Sequence, residues 1–73
     1  MKKKYKIENL GCPSCASKME DKIKKLDGVK DVNISFISQK MKLDLDDGVD
    51  IDYILEESSK IIKSIEYDAK LVY

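Results

Sequence analysis

The side chains best suited to chemistry in this sequence are the thiols of Cys12 and Cys15, its only two cysteines. The two residues between them allow both sulfurs to turn toward one ion, and Gly11 with Pro13 keeps the loop tight. Cys15 falls at the predicted start of a helix, where unpaired backbone N–H groups stabilise a thiolate, and Lys18 adds positive charge one turn later. We therefore expect both sulfurs to be anionic near neutral pH, the form that binds a metal.

The ligand set around this pair is incomplete. A closed structural zinc site usually takes four Cys or His ligands, whereas this chain has two cysteines and no histidine. Soft thiolates suit Cu(I), which accepts two sulfurs, and also Zn(II) or Cd(II) when an oxygen ligand joins them. The carboxylate of Glu66, with that of Asp68 as the weaker candidate, is the oxygen ligand that the predicted fold would supply. An open site of this kind is suited to handing a metal ion on.

Length and charge narrow the possible functions further. A chain of 73 residues forms one domain, residues 1–73, with little room for an enclosed substrate pocket, so we expect binding or transfer and no catalysis. Fourteen lysines and no arginine balance fourteen acids, which lacks the basic bias of a nucleic-acid or anionic-membrane binder. The charge is nevertheless divided, because residues 1–43 carry a net +6 and residues 44–73 a net −6.

The amino-terminal residues and the uncharged stretches indicate the cellular compartment of the domain. Three lysines follow Met1, and the next residues lack the apolar core of a signal peptide. Stretches without a charged side chain, such as residues 32–39, are far too short to span a bilayer. We expect a cytoplasmic domain that does not itself contact a membrane, with its cysteines kept as thiols.

Hydrophobic periodicity predicts four strands and two helices in the order β-α-β-β-α-β. The predicted strands cover residues 4–10, 32–36, 40–46 and 69–73, and the predicted helices cover residues 15–26 and 51–64. This order is typical of the α+β ferredoxin-like sandwich, a four-stranded antiparallel sheet with both helices on one face. Such a fold brings the loop at residues 66–68 to the same end of the sheet as the cysteine loop. We also predict that Phe36 faces the core. Tyr67 could shield the metal site from water or pack against the core, and we favour core packing.

A redox function is the alternative from another class. Cys-Pro-Ser-Cys between a strand and a helix resembles the active site of a glutaredoxin or thioredoxin, where a thiolate attacks a disulfide. Those folds carry a second proline facing the dithiol, whereas Pro13 is the only proline here. Their element order also differs from the one predicted.

Along nearly its whole length the sequence resembles the heavy-metal-associated domains, which occur in metal-transporting P-type ATPases and as free metallochaperones. The resemblance is carried by the first strand, the cysteine loop, the start of the first helix, the turn after it, the hairpin and the chain end, at residues 5–10, 12–15, 16–20, 26–29, 32–36 and 67–72. It implies a monomeric metal-transfer domain whose partner is a transporting ATPase, in the same chain or separate, or a metallochaperone.

Departures from the usual family pattern bear on the metal. The family's Gly-Met-x-Cys-x-x-Cys is here Asn-Leu-Gly-Cys-Pro-Ser-Cys at residues 9–15, and Glu66 stands where copper-type members have glycine before the late aromatic residue. Both changes resemble members associated with zinc, cadmium and lead export, although Gly11 replaces the aspartate that often precedes the first cysteine in zinc-type members. The resemblance thus favours Zn(II) or Cd(II) over Cu(I), with Cys12, Cys15 and Glu66 as ligands. A Cu(I) metallochaperone or copper-ATPase domain is the alternative.

Overall fold

The computed structural model describes all 73 residues and has the predicted element order. The elements are β1 (Lys2–Glu8), α1 (Pro13–Lys24), β2 (Val29–Ser35), β3 (Lys40–Leu45), α2 (Ile51–Ile65) and β4 (Lys70–Val72). Neither helix is long and apolar enough to cross a membrane.

The four strands form one antiparallel sheet in the order β2-β3-β1-β4. Helix α1 packs against β2 and α2, and α2 also contacts β4, so both helices cover the same face. The fold is therefore the predicted ferredoxin-like sandwich. Its core consists of alternate strand residues and the apolar stripes of the helices, including Ile7, Met19, Ile23, Met41, Leu43, Ile54 and Ile62.

Local signals explain where the helices begin. Cys12 has extended backbone angles and is the N-cap of α1, and Pro13 takes the first helical position, where its missing N–H costs nothing. Helix α1 therefore starts two residues before the predicted position. The α2 N-cap is Asp50, whose carboxylate accepts a hydrogen bond from the Tyr53 backbone N–H at 3.3 Å.

Three aromatic residues near element ends are solvated. Phe36 lies in the β2–β3 turn and is 37% exposed, and Tyr67 in the α2–β4 loop is 88% exposed, so the core positions predicted for both were wrong. The Phe36 error arises because β2 ends at Ser35 and the alternation stops with it. Leu71 in β4 and Ala69, just before this strand, face the core, whereas Tyr73 is exposed.

Candidate metal site

The two cysteines lie at the amino end of α1. Both are free thiols and half-buried, with Cys12 as the N-cap and Cys15 in the first turn. The first turn of a helix has backbone N–H groups without intrahelical partners, and these favour negative charge nearby. The strand-to-helix loop therefore presents both sulfurs at a partly solvated, electrostatically favourable position.

The two thiols differ in acidity. The Cys12 Sγ lies 3.0 Å from the Ser14 Oγ, and this hydrogen bond, with further bonds from Cys15, lowers the pKa of Cys12 to about 7. The pKa of Cys15 is raised, first by its hydrogen bond to Cys12 and then by burial and by the negative charges of Cys12 and Glu66; Lys18 opposes this rise. Adjacent thiols share one negative charge more readily than two. The expectation that both are anionic near neutral pH was therefore wrong for Cys15 in the metal-free protein.

Glu66 lies against the cysteine loop, at the carboxyl end of α2. Its Oε1 accepts a hydrogen bond from the Gly11 backbone N–H at 3.0 Å, and its Oε2 is buried without a hydrogen-bond partner. A Cβ atom added to Gly11 would lie 3.1 Å from Oε1, so a larger residue at position 11 would displace the Glu66 carboxylate by a few tenths of an ångström. The predicted meeting of the two loops is confirmed. The neighbouring Asp68 is exposed.

These residues do not form a ready-made three-ligand cluster. No group of three or more Cys, Asp, Glu or His side chains is gathered closely enough to hold a metal ion. Cys12 and Cys15 are adjacent, whereas one oxygen of Glu66 is held by the backbone of the residue before Cys12.

Gln39 holds the other side of the cysteine loop and was not identified from the sequence as more than a turn residue. Its side-chain Oε1 accepts from the Leu10 backbone N–H at 3.3 Å, and its Nε2 donates to the Leu10 carbonyl. We call these two bonds the Leu10 brace. The Gln39 carbonyl also accepts from the Ile7 N–H at 2.8 Å. Because the brace joins residues 29 positions apart, no local sequence pattern could have indicated it.

Comparison with known proteins decides the family. The model of the heavy-metal-associated domain family matches residues 4–69, nine-tenths of the chain. The chain belongs to this family. It is therefore a metal-binding domain of the kind found in metal ATPases and metallochaperones.

A curated relative of this heavy-metal-associated domain is a cadmium, zinc and cobalt-transporting ATPase of Helicobacter pylori (strain ATCC 700392 / 26695). The two are 49% identical over 43 residues, which are 59% of this chain and 6% of the ATPase. The matched segment is thus a small part of that relative's length.

Solved structures share the fold. A protein described as CopZ metallochaperone superposes with a TM-score of 0.76 at 17% identity, covering 99% of this chain and 100% of that one. The N-terminal domain of a potential copper-translocating P-type ATPase from Bacillus subtilis, in the Cu(I)-loaded state, gives a TM-score of 0.75 at 21% identity, with 96% and 81% covered. The fold of the dithiol oxidoreductases, with its different element order, is not the one adopted here.

Proposed function

We propose that Cys12 and Cys15 capture Zn(II) or Cd(II), that the Glu66 carboxylate is the third ligand, and that the ion then passes on by ligand exchange. The observation that carries this proposal is the Oε2 atom of Glu66, which is buried beside the cysteine loop without a partner. Burying a polar oxygen without a hydrogen bond is unfavourable, and coordination to a cation would compensate for it.

The donor set supports a divalent ion. Two thiolates satisfy Cu(I), whereas Zn(II) and Cd(II) need more ligands and accept carboxylate oxygen. Binding displaces the proton from Cys15, whose raised pKa keeps it protonated in the free protein. The ion then balances the two sulfurs and the carboxylate, which otherwise repel one another.

The half-buried sulfurs also support transfer. A thiolate from an acceptor can join the metal before Cys12 or Cys15 leaves, so the ion need not be released to water. We place this monomeric domain in the cytoplasm, either as a module of a heavy-metal P-type ATPase or as a separate metallochaperone. It catalyses no reaction itself, and energy-coupled transport would belong to another part of such an ATPase.

Cu(I) transfer is the second candidate, as a metallochaperone or copper-ATPase domain. It is favoured by the copper named for the Bacillus subtilis domain of the same fold and by the adjacency of two thiols, which suffice for Cu(I). The role of Glu66 separates the two candidates, because Cu(I) does not need the carboxylate.

The test is a competition titration of the reduced protein with Zn(II), Cd(II) and Cu(I) against a chromophoric chelator. Glu66→Gln retains a side-chain oxygen for the Gly11 N–H but removes the anionic ligand, and Asp68→Ala is the matched control in the same loop. We expect Glu66→Gln to weaken Zn(II) and Cd(II) binding about tenfold or more, with Cu(I) binding and the Asp68→Ala variant unchanged.

Each contrary result has a distinct meaning. Equal effects of Glu66→Gln on the affinities for all three ions would show that Glu66 is not a ligand. Tight Cu(I) binding together with weak Zn(II) binding would favour the second candidate. One-to-one binding that survives Cys12→Ser and Cys15→Ser would overturn the site. Turnover of a glutathione mixed disulfide that is lost in Cys12→Ser would support the dithiol oxidoreductase alternative instead.

A further inference from the structure

The face of the sheet opposite the helices is unevenly charged. Burial of Ile7 in β1 and of Met41 in β3 places their strand neighbours on this open face. Five of the open-face residues on these two central strands are exposed lysines, and four of them are directly opposite another lysine, namely Lys4, Lys6, Lys40 and Lys42. We call these four residues the lysine rows.

Strand register sets these lysines against one another. Lys4 is directly opposite Lys42, and Lys6 is directly opposite Lys40. Residues opposite each other in an antiparallel pair have Cβ atoms about 4.5–5.5 Å apart, and like charges there destabilise the sheet. On the β2 side the neighbours are the neutral Asn33 and Ser35.

No carboxylate of the chain forms an ion pair with the lysine rows. The ion pairs of the structure involve the amino terminus, Lys24, Lys30 and Lys60, and none of the four lysines. The acids of this face lie at the two ends of the rows. Asp44 is paired with Lys2 and with Asp31 at one end, where both acids share a hollow with Lys4 and Lys42, and Glu8 is paired with Lys70 at the other end. The positive charge is therefore concentrated in the middle of the face.

Protection of a sheet edge does not account for this arrangement. Lysines on edge strands discourage pairing with another chain, but β1 and β3 are the two inner strands of the sheet. A hollow of about 340 Å³ adjoins the rows, and its lining contains no hydrophobic side chain. It is lined by Lys4, Lys40, Lys42, Asn33, Ser35 and Ser38.

We propose that the lysine rows dock a carboxylate-rich segment of a partner protein. Ammonium, amide and hydroxyl groups in the hollow can all donate hydrogen bonds to carboxylates. Acidic residues three or four positions apart on a helix have Cβ atoms about 5–6 Å apart, which matches the spacing across each lysine pair. The proposal does not rest on the metal ligands, because the lysine rows lie on the sheet and the cysteine loop lies beyond the end of β1 at Glu8.

Two other anionic partners fit the face less well. A membrane-binding surface combines basic residues with large apolar groups that insert, whereas the residues paired with the rows include a single apolar side chain, the small Val72 opposite Lys6. Base readout in duplexes favours arginine, and single-strand binding uses aromatic stacking; the chain has no arginine, and the hollow has no aromatic residue in its lining.

The experiment uses a labelled synthetic peptide with glutamates four residues apart in an alanine background, titrated with the protein at about 20 mM salt. Lys4→Gln/Lys42→Gln removes one opposed pair, and Lys22→Gln/Lys25→Gln, on exposed positions of the α1 region, makes the same change in net charge. We expect binding to weaken about tenfold in the first variant and less than about twofold in the second.

A single charge reversal separates docking from a structural role. Lys42→Glu should abolish peptide binding and at the same time raise the urea midpoint of unfolding, because it converts the repulsive pair with Lys4 into an attractive one. Damage to the fold would instead lower both the peptide affinity and the urea midpoint.

Four results would overturn the proposal. The first three are that the unmodified protein does not bind the peptide, that Lys22→Gln/Lys25→Gln weakens peptide binding as much as Lys4→Gln/Lys42→Gln does, and that the Lys42→Glu variant still binds the peptide. The fourth is that the protein binds phosphatidylserine vesicles or a single-stranded oligonucleotide in preference to the peptide. The last result would assign the face to a lipid or nucleic-acid partner.

Discussion

Replacing Gln39 with glycine should separate the geometry of the cysteine loop from the stability of the fold. Glycine retains the backbone bonds of residue 39, including the one to the Ile7 N–H, but deletes both bonds of the Leu10 brace. Leu10 is only 2% exposed, so its backbone groups have little access to water in compensation. The residue that precedes Gly11 and Cys12 would then be held less firmly.

The stability change is expected to be small because two effects oppose each other. Loss of two hydrogen bonds costs about 2 kcal/mol at ~1 kcal/mol each. Gln39 has a φ of +57°, and relief of this left-handed conformation by glycine returns roughly 1 kcal/mol. The net loss in the free energy of unfolding is about 1 kcal/mol, which leaves the variant folded.

Gln39→Gly is expected to weaken metal affinity clearly, whereas a control variant in the same turn should not. Loss of a group that orients a ligand loop typically weakens metal affinity about tenfold or more, or ~1.4 kcal/mol. Zn(II) affinity by chelator competition and urea unfolding would be measured together. Ile37→Gly places glycine at a 93% exposed position of the same turn and should leave Zn(II) affinity unchanged. Equal affinities for Gln39→Gly and the unmodified protein would refute the brace as a determinant of site geometry.

Three further perturbations test other features. Ser58→Ala removes a fully buried hydroxyl that has no hydrogen-bond partner and should raise the free energy of unfolding by about 1 kcal/mol in urea titration; destabilisation would indicate that the hydroxyl is satisfied. Gly28→Ala should lower it by roughly 2 kcal/mol or more, because φ is +95° and the new Cβ would lie 2.5 Å from the Val49 Cγ1; an unchanged unfolding midpoint would contradict this. Metal affinity should rise with pH. Below the Cys12 pKa of about 7 both thiols lose protons on binding, and above it only Cys15, with its raised pKa, does so. The slope of log affinity against pH should therefore fall from about 2 to about 1 near pH 7, and a single slope throughout would contradict the difference in acidity.

Local patterns predicted most of the fold. Alternating apolar residues in the strands and the 3.6-residue stripes of the helices gave the element order, because each element needs one face in the core. The predictions failed at element ends. The sequence does not show that pairing with β3 extends β1 back to Lys2, or that Phe36 lies beyond the end of β2. Such ends depend on pairing partners and turn geometry, which adjacent residues do not encode.

The cysteine spacing and the lack of histidine predicted, from the sequence by itself, an open site for a soft metal ion. That inference needs only residue types and a short loop, since two thiols separated by two residues can approach one ion where the chain turns into a helix. Only the tertiary structure decided what surrounds them. It placed Glu66 against Gly11, 55 positions away, and Gln39 against Leu10, 29 positions away. It also set four lysines in opposed pairs. It also made Cys12 and Cys15 unequal in acidity. These properties arise from the packing of distant segments, so they appear only when the chain is folded.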